Sequence, residues 1–162
     1  MTETYSKMAK YYDKIYADKD YAEEVRRLVG LLGGARERRT LLDVACGTGR
    51  HLEHLRESFD VEGLDVCAEA LDDARRRNSG VVFHVADMTN FHLGRSFDVV
   101  TCLFSSIGYV KTLEGLRGAI RSMAAHLKSG GVLVVEPWFT PAEWRPHTVH
   151  AVYIDEPDLK IA

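Results

Sequence analysis

Three aspartates recur at an equal spacing in the first half of the chain. Asp43 is followed 22 residues later by Asp65, and Asp65 is followed 22 residues later by Asp87. A carboxylate can accept two charge-assisted hydrogen bonds from the neighbouring hydroxyls of a ribose, or one from an exocyclic amine. We therefore expect Asp65 to bind the ribose and Asp87 the adenine amine of an adenosine-containing ligand.

A glycine-rich turn follows the first of these aspartates. Gly47 and Gly49 stand four and six residues after Asp43, and glycine lets a ligand approach the backbone where a Cβ atom would intrude. The fingerprint of NAD-binding proteins has a third glycine three residues after the second, where this chain has Leu52. An NAD-dependent oxidoreductase is therefore an alternative that the sequence disfavours.

Two other clusters of polar residues do not indicate a catalytic or binding site. His51 and His54 share one face of a predicted helix but have no third ligand beside them, so no metal site is expected. The run 75–77 consists of three arginines at the end of another predicted helix. Because cations there complement the helix dipole, we interpret them as a solvated helix end.

Alternating strands and helices must position these residues. Unbroken Val and Leu runs that end in turn residues predict buried strands, and apolar residues at helical spacing predict helices between them. Such alternation is typical of an α/β fold with a doubly wound, Rossmann-like, mostly parallel sheet, which binds ligands at the carboxyl ends of its strands. The predicted strands are 40–45, 61–64, 81–85, 97–104 and 132–136, and the predicted helices are 21–32, 50–58, 68–77 and 113–127, the last closed by a glycine C-cap at 128–131.

Composition and charge narrow the class of protein. The chain has 162 residues, of which 46% are apolar and 28% charged, as in one globular domain. Its formal charge of -3 argues against a nucleic acid partner, and its apolar runs are too short to cross a membrane. Three cysteines cannot all pair and no signal-peptide pattern opens the chain, so a cytoplasmic location is expected.

Four short motifs follow one another along the chain: Leu41–Gly49, Gly63–Asp65, Ala86–Met88 and Phe97–Val100. In sequence and order they resemble the class I S-adenosyl-L-methionine-dependent methyltransferases. This resemblance implies S-adenosyl-L-methionine as the cofactor, with its ribose on Asp65 and its adenine beside Asp87 and Met88. It also implies that the amino acid part of the cofactor is surrounded by Asp43 and by the backbone from Ala45 to Gly49, with Cys46 and Gly47 between them, and that Leu103 and Phe104 close the pocket.

A narrower resemblance covers nearly the whole chain. The segments 12–16, 19–21, 43–54, 104–109 and 134–138 are similar to bacterial N,N-dimethyltransferases that act on nucleotide-linked amino-deoxysugars, of the desosamine and mycaminose type. The resemblance implies a small-molecule acceptor, a nucleotide-linked aminosugar. It further implies that Tyr16 lies by the sugar, Tyr21 by the cofactor, and Tyr109 opposite the acceptor amine.

Methyl transfer from a sulfonium is an in-line displacement that needs a neutral amine. A hydrogen-bond acceptor close to the methyl group helps a protonated amine to lose its proton. Tyr109, Tyr16 and Glu136 are the candidates for this role.

The C-terminal segment departs from the pattern of the class. Only 26 residues follow Glu136 and they contain four prolines, so at most one short strand is expected, around 149–154. We expect a single domain, with a helical cap at 1–34, a cofactor-binding core at 35–136 and a partial substrate segment at 137–162, which lacks the last two strands. A fragment, a truncated reading frame or a homodimer that completes the sheet would account for this. Among enzymes, the nearest alternative is methylation of a different small acceptor. The alternative from another class is a noncatalytic or partner-completed module that only binds the cofactor.

Overall fold

Five parallel strands form the central sheet of the chain. The computed structural model describes residues 11–33, 39–138, 142–143, 145, 154–156 and 159–161. The strands of the sheet are β1 (Arg39–Val44), β2 (Phe59–Asp65), β3 (Val82–Val85), β4 (Phe97–Cys102) and β5 (Leu127–Val135). Their order is β3-β2-β1-β4-β5, and every neighbouring pair is parallel. The predicted α/β fold with a Rossmann-like sheet is confirmed.

Helices cover both faces of this sheet. The helices are α1 (Tyr21–Leu31), α2 (Arg50–Leu55), α3 (Ala68–Arg77) and α4 (Leu113–Ala125); residues 11–15 are also helical, and Ser106–Val110 form a 3-10 helix. Leu41 packs into a core with α1, α2 and α3, whereas its neighbour Leu42 packs into a second core with α4. Successive side chains of a strand point to opposite faces, so each face buries its own apolar set. None of the helices described is long and apolar enough to span a membrane.

The order of the strands reverses at β1. β1 pairs with β2 on one side and with β4 on the other, so the loops that leave β1 and β4 diverge to opposite faces of the sheet. In open parallel sheets this switch point forms a crevice at the carboxyl ends of the strands. The residues from Ala45 to Gly49 and from Leu103 to Ser105 follow these two strands.

Two predicted boundaries near α4 are wrong. The helix ends at Ala125 and β5 begins at Leu127, so the glycines at 130 and 131 lie within the strand and do not cap the helix. Gly130 has a φ of +78°, and the register of β5 against β4 is irregular between Phe97 and Val99. Glycine is favoured both in a β-bulge and after the end of a helix, because both positions need a positive φ. The sequence alone therefore does not distinguish the two cases.

The ends of two other strands also differ from the predictions. β2 begins at Phe59, two residues before the predicted start, and β4 ends at Cys102, two residues before the predicted end. Phe104 has a φ of +51° and therefore cannot continue an extended strand. The loop after β4 therefore begins with two apolar residues, Leu103 and Phe104, which the sequence pattern had assigned to the strand.

The C-terminal segment holds two short strands where one was predicted. β6 (Ile154–Glu156) and β7 (Leu159–Ile161) pair with each other in antiparallel register. They are separated by Pro157 and Asp158, two residue types that favour turns. Most of the predicted strand, residues 149–153, lies outside the described residues.

Candidate functional site

A cleft of about 390 Å³, part of it open to solvent, lies at the carboxyl ends of β1 and β4. It brings together half of the predicted site residues: Tyr21, Asp43, Ala45, Cys46, Gly47, Leu103 and Phe104. Thr48, within the predicted backbone stretch from Ala45 to Gly49, lines it as well, and so do four residues that were not predicted for it, namely Tyr12, Arg50, His51 and Ser106. The other predicted residues, Tyr16, Gly49, Asp65, Asp87, Met88, Tyr109 and Glu136, lie outside the lining of the cleft.

The glycine turn joins β1 directly to α2. Gly47 and Gly49 have φ angles of +54° and +75°, which residues with a side chain rarely adopt. A Cβ atom on Gly49 would lie 2.7 Å from Nδ2 of Asn78, and that amide nitrogen donates a hydrogen bond of 2.9 Å to the carbonyl of Gly49. The turn is therefore held against the end of α3, and its backbone faces the cleft.

Asp65 lies directly behind this turn, at the end of β2. Its Oδ2 accepts a hydrogen bond of 2.8 Å from the Gly47 N–H, and its Oδ1 accepts one of 2.9 Å from the Cys67 N–H. Burial raises the pKa of the carboxyl group, although these backbone hydrogen bonds oppose the shift. Because a carboxylate oxygen can accept two hydrogen bonds, each oxygen retains capacity for a hydroxyl group.

Asp43 forms the floor of the cleft. Its side chain is buried, and Oδ1 accepts a hydrogen bond of 2.7 Å from the Thr101 hydroxyl. Burial raises the pKa of the carboxyl group to about 6, while His51 lowers it and Asp65 raises it further. The site therefore carries negative charge at neutral pH where a ligand ammonium group would be stabilised.

Tyr21 contributes a buried hydroxyl group to the cleft. Only 5% of the residue is exposed, and its hydroxyl has no hydrogen-bond partner among the described residues. Burial raises the pKa of this phenol to about 12, with Arg50 opposing the shift, so the group remains a donor at neutral pH. A buried polar group without a partner is rare in proteins and indicates a place where a ligand or water completes the hydrogen bond.

The helical segment 11–15 is joined to the glycine turn by Asp13, which sequence analysis did not select. Oδ1 of Asp13 accepts a hydrogen bond of 2.6 Å from the Thr48 hydroxyl, and Oδ2 accepts one of 2.5 Å from Nη2 of Arg77. Nη1 of Arg77 also donates to the Thr48 carbonyl, at 2.5 Å. The interpretation of 75–77 as a solvated helix end is therefore wrong for Arg77, which joins α3 to the helical segment 11–15.

Three aromatic side chains pack together at one side of the cleft: Tyr12 and Phe104 line it, and Tyr16 packs against both of these rings outside the lining. The Phe104 ring packs edge-on against Tyr16, with ring centres 4.9 Å apart, and against Tyr12, with ring centres 6.4 Å apart. Nζ of Lys19 lies 4.2 Å from the centre of the Phe104 ring. We call Tyr12, Tyr16 and Phe104 the aromatic wall.

Two of the predicted catalytic residues lie beside this wall. Tyr109, in the 3-10 helix, is 53% exposed, and its pKa is raised by burial, by Tyr16 and by Asp65. Glu136, which follows β5, accepts a hydrogen bond of 2.6 Å from the Phe104 N–H through Oε2. The catalytic roles of Tyr109, Tyr16 and Glu136 stay predictions, because the structure gives only the positions of these residues.

Asp87 and Met88 lie beyond β3, next to the end of β2. Oδ1 of Asp87 accepts hydrogen bonds from the backbone N–H of Thr89, at 2.8 Å, and from its hydroxyl, at 2.7 Å. Met88 packs against the core on the α4 side of the sheet. The carbonyl of Asp65 accepts a hydrogen bond of 3.0 Å from the Ala86 N–H, so the two carboxylates stand at adjacent strand ends, as the spacing predicts.

A glycine turn after β1, with buried carboxylates at the ends of β1 and β2, is the arrangement of the Rossmann-like cofactor-binding class. A family model described as a methyltransferase domain matches residues 41–131, from β1 into β5. The chain belongs to this methyltransferase family. The predicted family is thereby confirmed, and the NAD-dependent alternative is set aside.

Individual relatives are similar over most of the chain. The chain is 46% identical, over 89% of its length, to a dTDP-3-amino-3,6-dideoxy-alpha-D-glucopyranose N,N-dimethyltransferase of Streptomyces fradiae. The crystal structure of Streptomyces venezuelae DesVI matches 92% of this chain and 65% of its own, with a TM-score of 0.83 and 42% identity. The SAM-bound structure of CalS10, an amino pentose methyltransferase of Micromonospora echinaspora, matches 85% of this chain and 59% of its own, with a TM-score of 0.79 and 41% identity. The chain spans about 58% of the length of the first curated relatives it matches.

Proposed function

We propose that this chain binds S-adenosyl-L-methionine in the cleft and supports transfer of its methyl group to the amine of a nucleotide-linked amino-deoxysugar. The observation that carries the proposal is the buried Tyr21 hydroxyl, which has no hydrogen-bond partner among the described residues and lines the same cleft as Asp43 and the glycine turn. Relatives named for N,N-dimethylation of dTDP-linked aminosugars support the choice of acceptor.

The residues present suit the polar groups of such a cofactor. Asp43 offers a buried acceptor for the ammonium group, and the open backbone of Gly47 allows close approach of the amino acid part. Asp65 retains hydrogen-bonding capacity for the ribose hydroxyls, and Asp87 is the proposed acceptor for the adenine amine. When bound, the cofactor supplies an electrophilic methyl group on a sulfonium.

The protein contributes mainly alignment to this reaction. An in-line displacement requires the amine to approach opposite the departing sulfur, and fixed orientation can supply roughly 7–11 kcal/mol of the barrier reduction. Tyr16, packed against Phe104, and the half-exposed Tyr109 are the residues that we place beside the acceptor. Their hydroxyl groups orient the amine and accept a hydrogen bond from it, and its proton is released to solvent, to which the cleft is partly open.

We also propose a cytoplasmic location. The three cysteines, Cys46, Cys67 and Cys102, are buried as free thiols, which a reducing compartment preserves.

The test combines binding with turnover. Titration calorimetry of the chain with S-adenosylhomocysteine is expected to show micromolar binding, and NAD is expected to show none. Incubation with S-adenosyl-L-methionine and a dTDP-linked 3-amino-3,6-dideoxyglucose is then followed by mass spectrometry for added methyl groups. A folded chain that does not bind S-adenosylhomocysteine contradicts the cofactor assignment. Binding without methylation of any aminosugar nucleotide supports the two alternatives, a different small acceptor or a noncatalytic module.

A further inference from the structure

The loop that leaves β4 holds two consecutive residues in the left-handed region. Phe104 has a φ of +51° and Ser105 a φ of +56°. For residues that carry a side chain this conformation is unfavourable, and it persists only where surrounding contacts hold it. The contacts that hold this loop are therefore part of how the site is built.

Those contacts come from the end of β5, 32 residues further along the chain. Oε2 of Glu136 accepts a hydrogen bond of 2.6 Å from the Phe104 N–H, and the Ser105 hydroxyl donates one of 3.1 Å to the Pro137 carbonyl. The Glu136 N–H in turn donates a hydrogen bond of 2.9 Å to the carbonyl of Cys102, the last residue of β4. Three hydrogen bonds thus join the two chain segments around the left-handed pair.

The loop carries the residues that face the ligand. Phe104 lines the cleft and packs edge-on against Tyr16, so the backbone conformation at position 104 fixes the aromatic wall. The 3-10 helix begins two residues later and carries Tyr109. A change in the backbone at Phe104 therefore moves both the cofactor side and the acceptor side of the site.

We propose that Glu136 is a positioning residue for methyl transfer, and that its carboxylate holds the Phe104 backbone instead of accepting a proton from the acceptor amine. The inference rests on the proposed function. It assigns a role to one of the three residues that the sequence analysis named as candidate hydrogen-bond acceptors for the amine. A carboxylate is suited to this task because a hydrogen bond from a backbone N–H to a charged acceptor is stronger than one to a neutral acceptor.

The experiment compares Glu136→Gln, which keeps an oxygen acceptor for the Phe104 N–H, with Glu136→Ala, which removes it. Glu57→Ala, at an exposed position after α2, is the matched control. We expect Glu136→Ala to weaken S-adenosylhomocysteine binding about tenfold, to lower kcat at least tenfold and to reduce the near-ultraviolet circular dichroism of the aromatic wall. We expect Glu136→Gln to stay within threefold of the unmodified chain in affinity and kcat, with the same pH dependence of kcat.

Two results would overturn the proposal. If Glu136→Gln loses as much kcat as Glu136→Ala and the acidic limb of its pH profile disappears, Glu136 is the proton acceptor. If both variants behave like Glu57→Ala, the hydrogen bond positions nothing.

Failure of the proposed function is a separate outcome. An unmodified chain that methylates no aminosugar nucleotide contradicts that function, whereas the affinities and the circular dichroism still rank the two variants. Should Glu136→Ala fail to fold, the activity and pH profile of Glu136→Gln decide the question alone.

Discussion

The buried Tyr21 hydroxyl finds no partner within the part of the chain that the structure describes, so its removal should affect folding and binding in opposite directions. Tyr21→Phe is expected to raise the free energy of unfolding by about 1 kcal/mol, because a buried unsatisfied group no longer has to be desolvated. The same variant should bind S-adenosylhomocysteine about tenfold more weakly. Urea denaturation and calorimetry measure the two effects. Unchanged affinity in a stabilised variant would show that the hydroxyl does not face the ligand.

Asp43 makes the free energy of unfolding depend on pH, and the sign of this dependence follows from the burial of the carboxyl group. The pKa rises from 3.8 to about 6 in the folded state, so between these values the unfolded chain ionises first and stability falls as the pH rises. Asp43→Asn keeps an oxygen acceptor for Thr101 and removes the charge. It is expected to raise the free energy of unfolding by about 1–3 kcal/mol at pH 7.5 and to leave it nearly unchanged at pH 3.5.

Denaturation curves at several pH values measure this difference. An Asp43→Asn variant with the same stability profile as the unmodified chain would mean that Asp43 is ionised with little cost. The nearby Asp65 also has a raised pKa, so part of the decrease in unfolding free energy with rising pH should persist in the variant.

Among single residues, those at the ends of strands were the easiest to predict from the sequence. Asp43, Gly47 and Asp65 belong to short motifs in which type and spacing are both informative. Glu136 was selected as a hydrogen-bond acceptor for the amine, but its hydrogen bond to Phe104 spans 32 residues and leaves no local pattern. Asp13 was missed for the same reason, since its partner Arg77 is 64 residues away.

The turn between β1 and α2 depends on glycine at its last position. Gly49→Ala is expected to lower the free energy of unfolding by about 2–4 kcal/mol, since alanine disfavours a φ of +75° and its Cβ would collide with Asn78. Gly30→Ala is the control, because Gly30 lies inside α1 with open space around it. That variant should be stabilised by about 0.5–1 kcal/mol, as alanine favours a helix interior. Effects of the same sign in urea denaturation would contradict the turn geometry.

The end of α3 offers a second matched pair. Arg77 is 22% exposed in its side chain and binds Asp13, whereas Arg76 is 71% exposed and pairs with Asp73 in its own helix. Arg77→Met is expected to cost about 1–3 kcal/mol of unfolding free energy, because it leaves a partly buried carboxylate with fewer partners. Arg76→Met should cost less than about 0.5 kcal/mol.

Limited proteolysis adds a local readout to this pair. Cleavage near residues 11–15 should accelerate in Arg77→Met, since the segment loses its link to α3. Equal proteolysis and equal stability of the two variants would contradict the role assigned to the Asp13–Arg77 pair.

The elements themselves could be predicted where one periodic pattern dominates. α3 was predicted with the observed bounds, because Ala70, Leu71 and Ala74 stand at helical spacing and a glycine turn follows the helix. β5 could not be delimited, because the residues from Lys128 to Gly131 lack apolar side chains and read as a turn. Their strand conformation comes from pairing with β4, which is a tertiary contact.

Ligand binding by the whole molecule should appear as added stability. A ligand that binds only the folded chain stabilises it by about 2.7 kcal/mol at one hundred times its Kd. S-adenosylhomocysteine is therefore expected to raise the Tm by several degrees, while NAD at the same concentration leaves it unchanged. Thermal scans of the purified chain measure both. Equal shifts with the two ligands would contradict a cleft selective for the methyl donor.

During synthesis on the ribosome, the strands emerge in chain order, which differs from their order in the sheet. One of the two neighbours of β1 is therefore made much later than β1 itself. β1 can pair with β2 soon after both emerge, but its other edge pairs with β4, whose Val99 is made 58 residues after its partner Leu41. Until then the nascent chain presents an open apolar strand edge, which is a template for association with other chains. The same reversal of strand order that creates the cleft thus keeps one edge of β1 unpaired until β4 has been made.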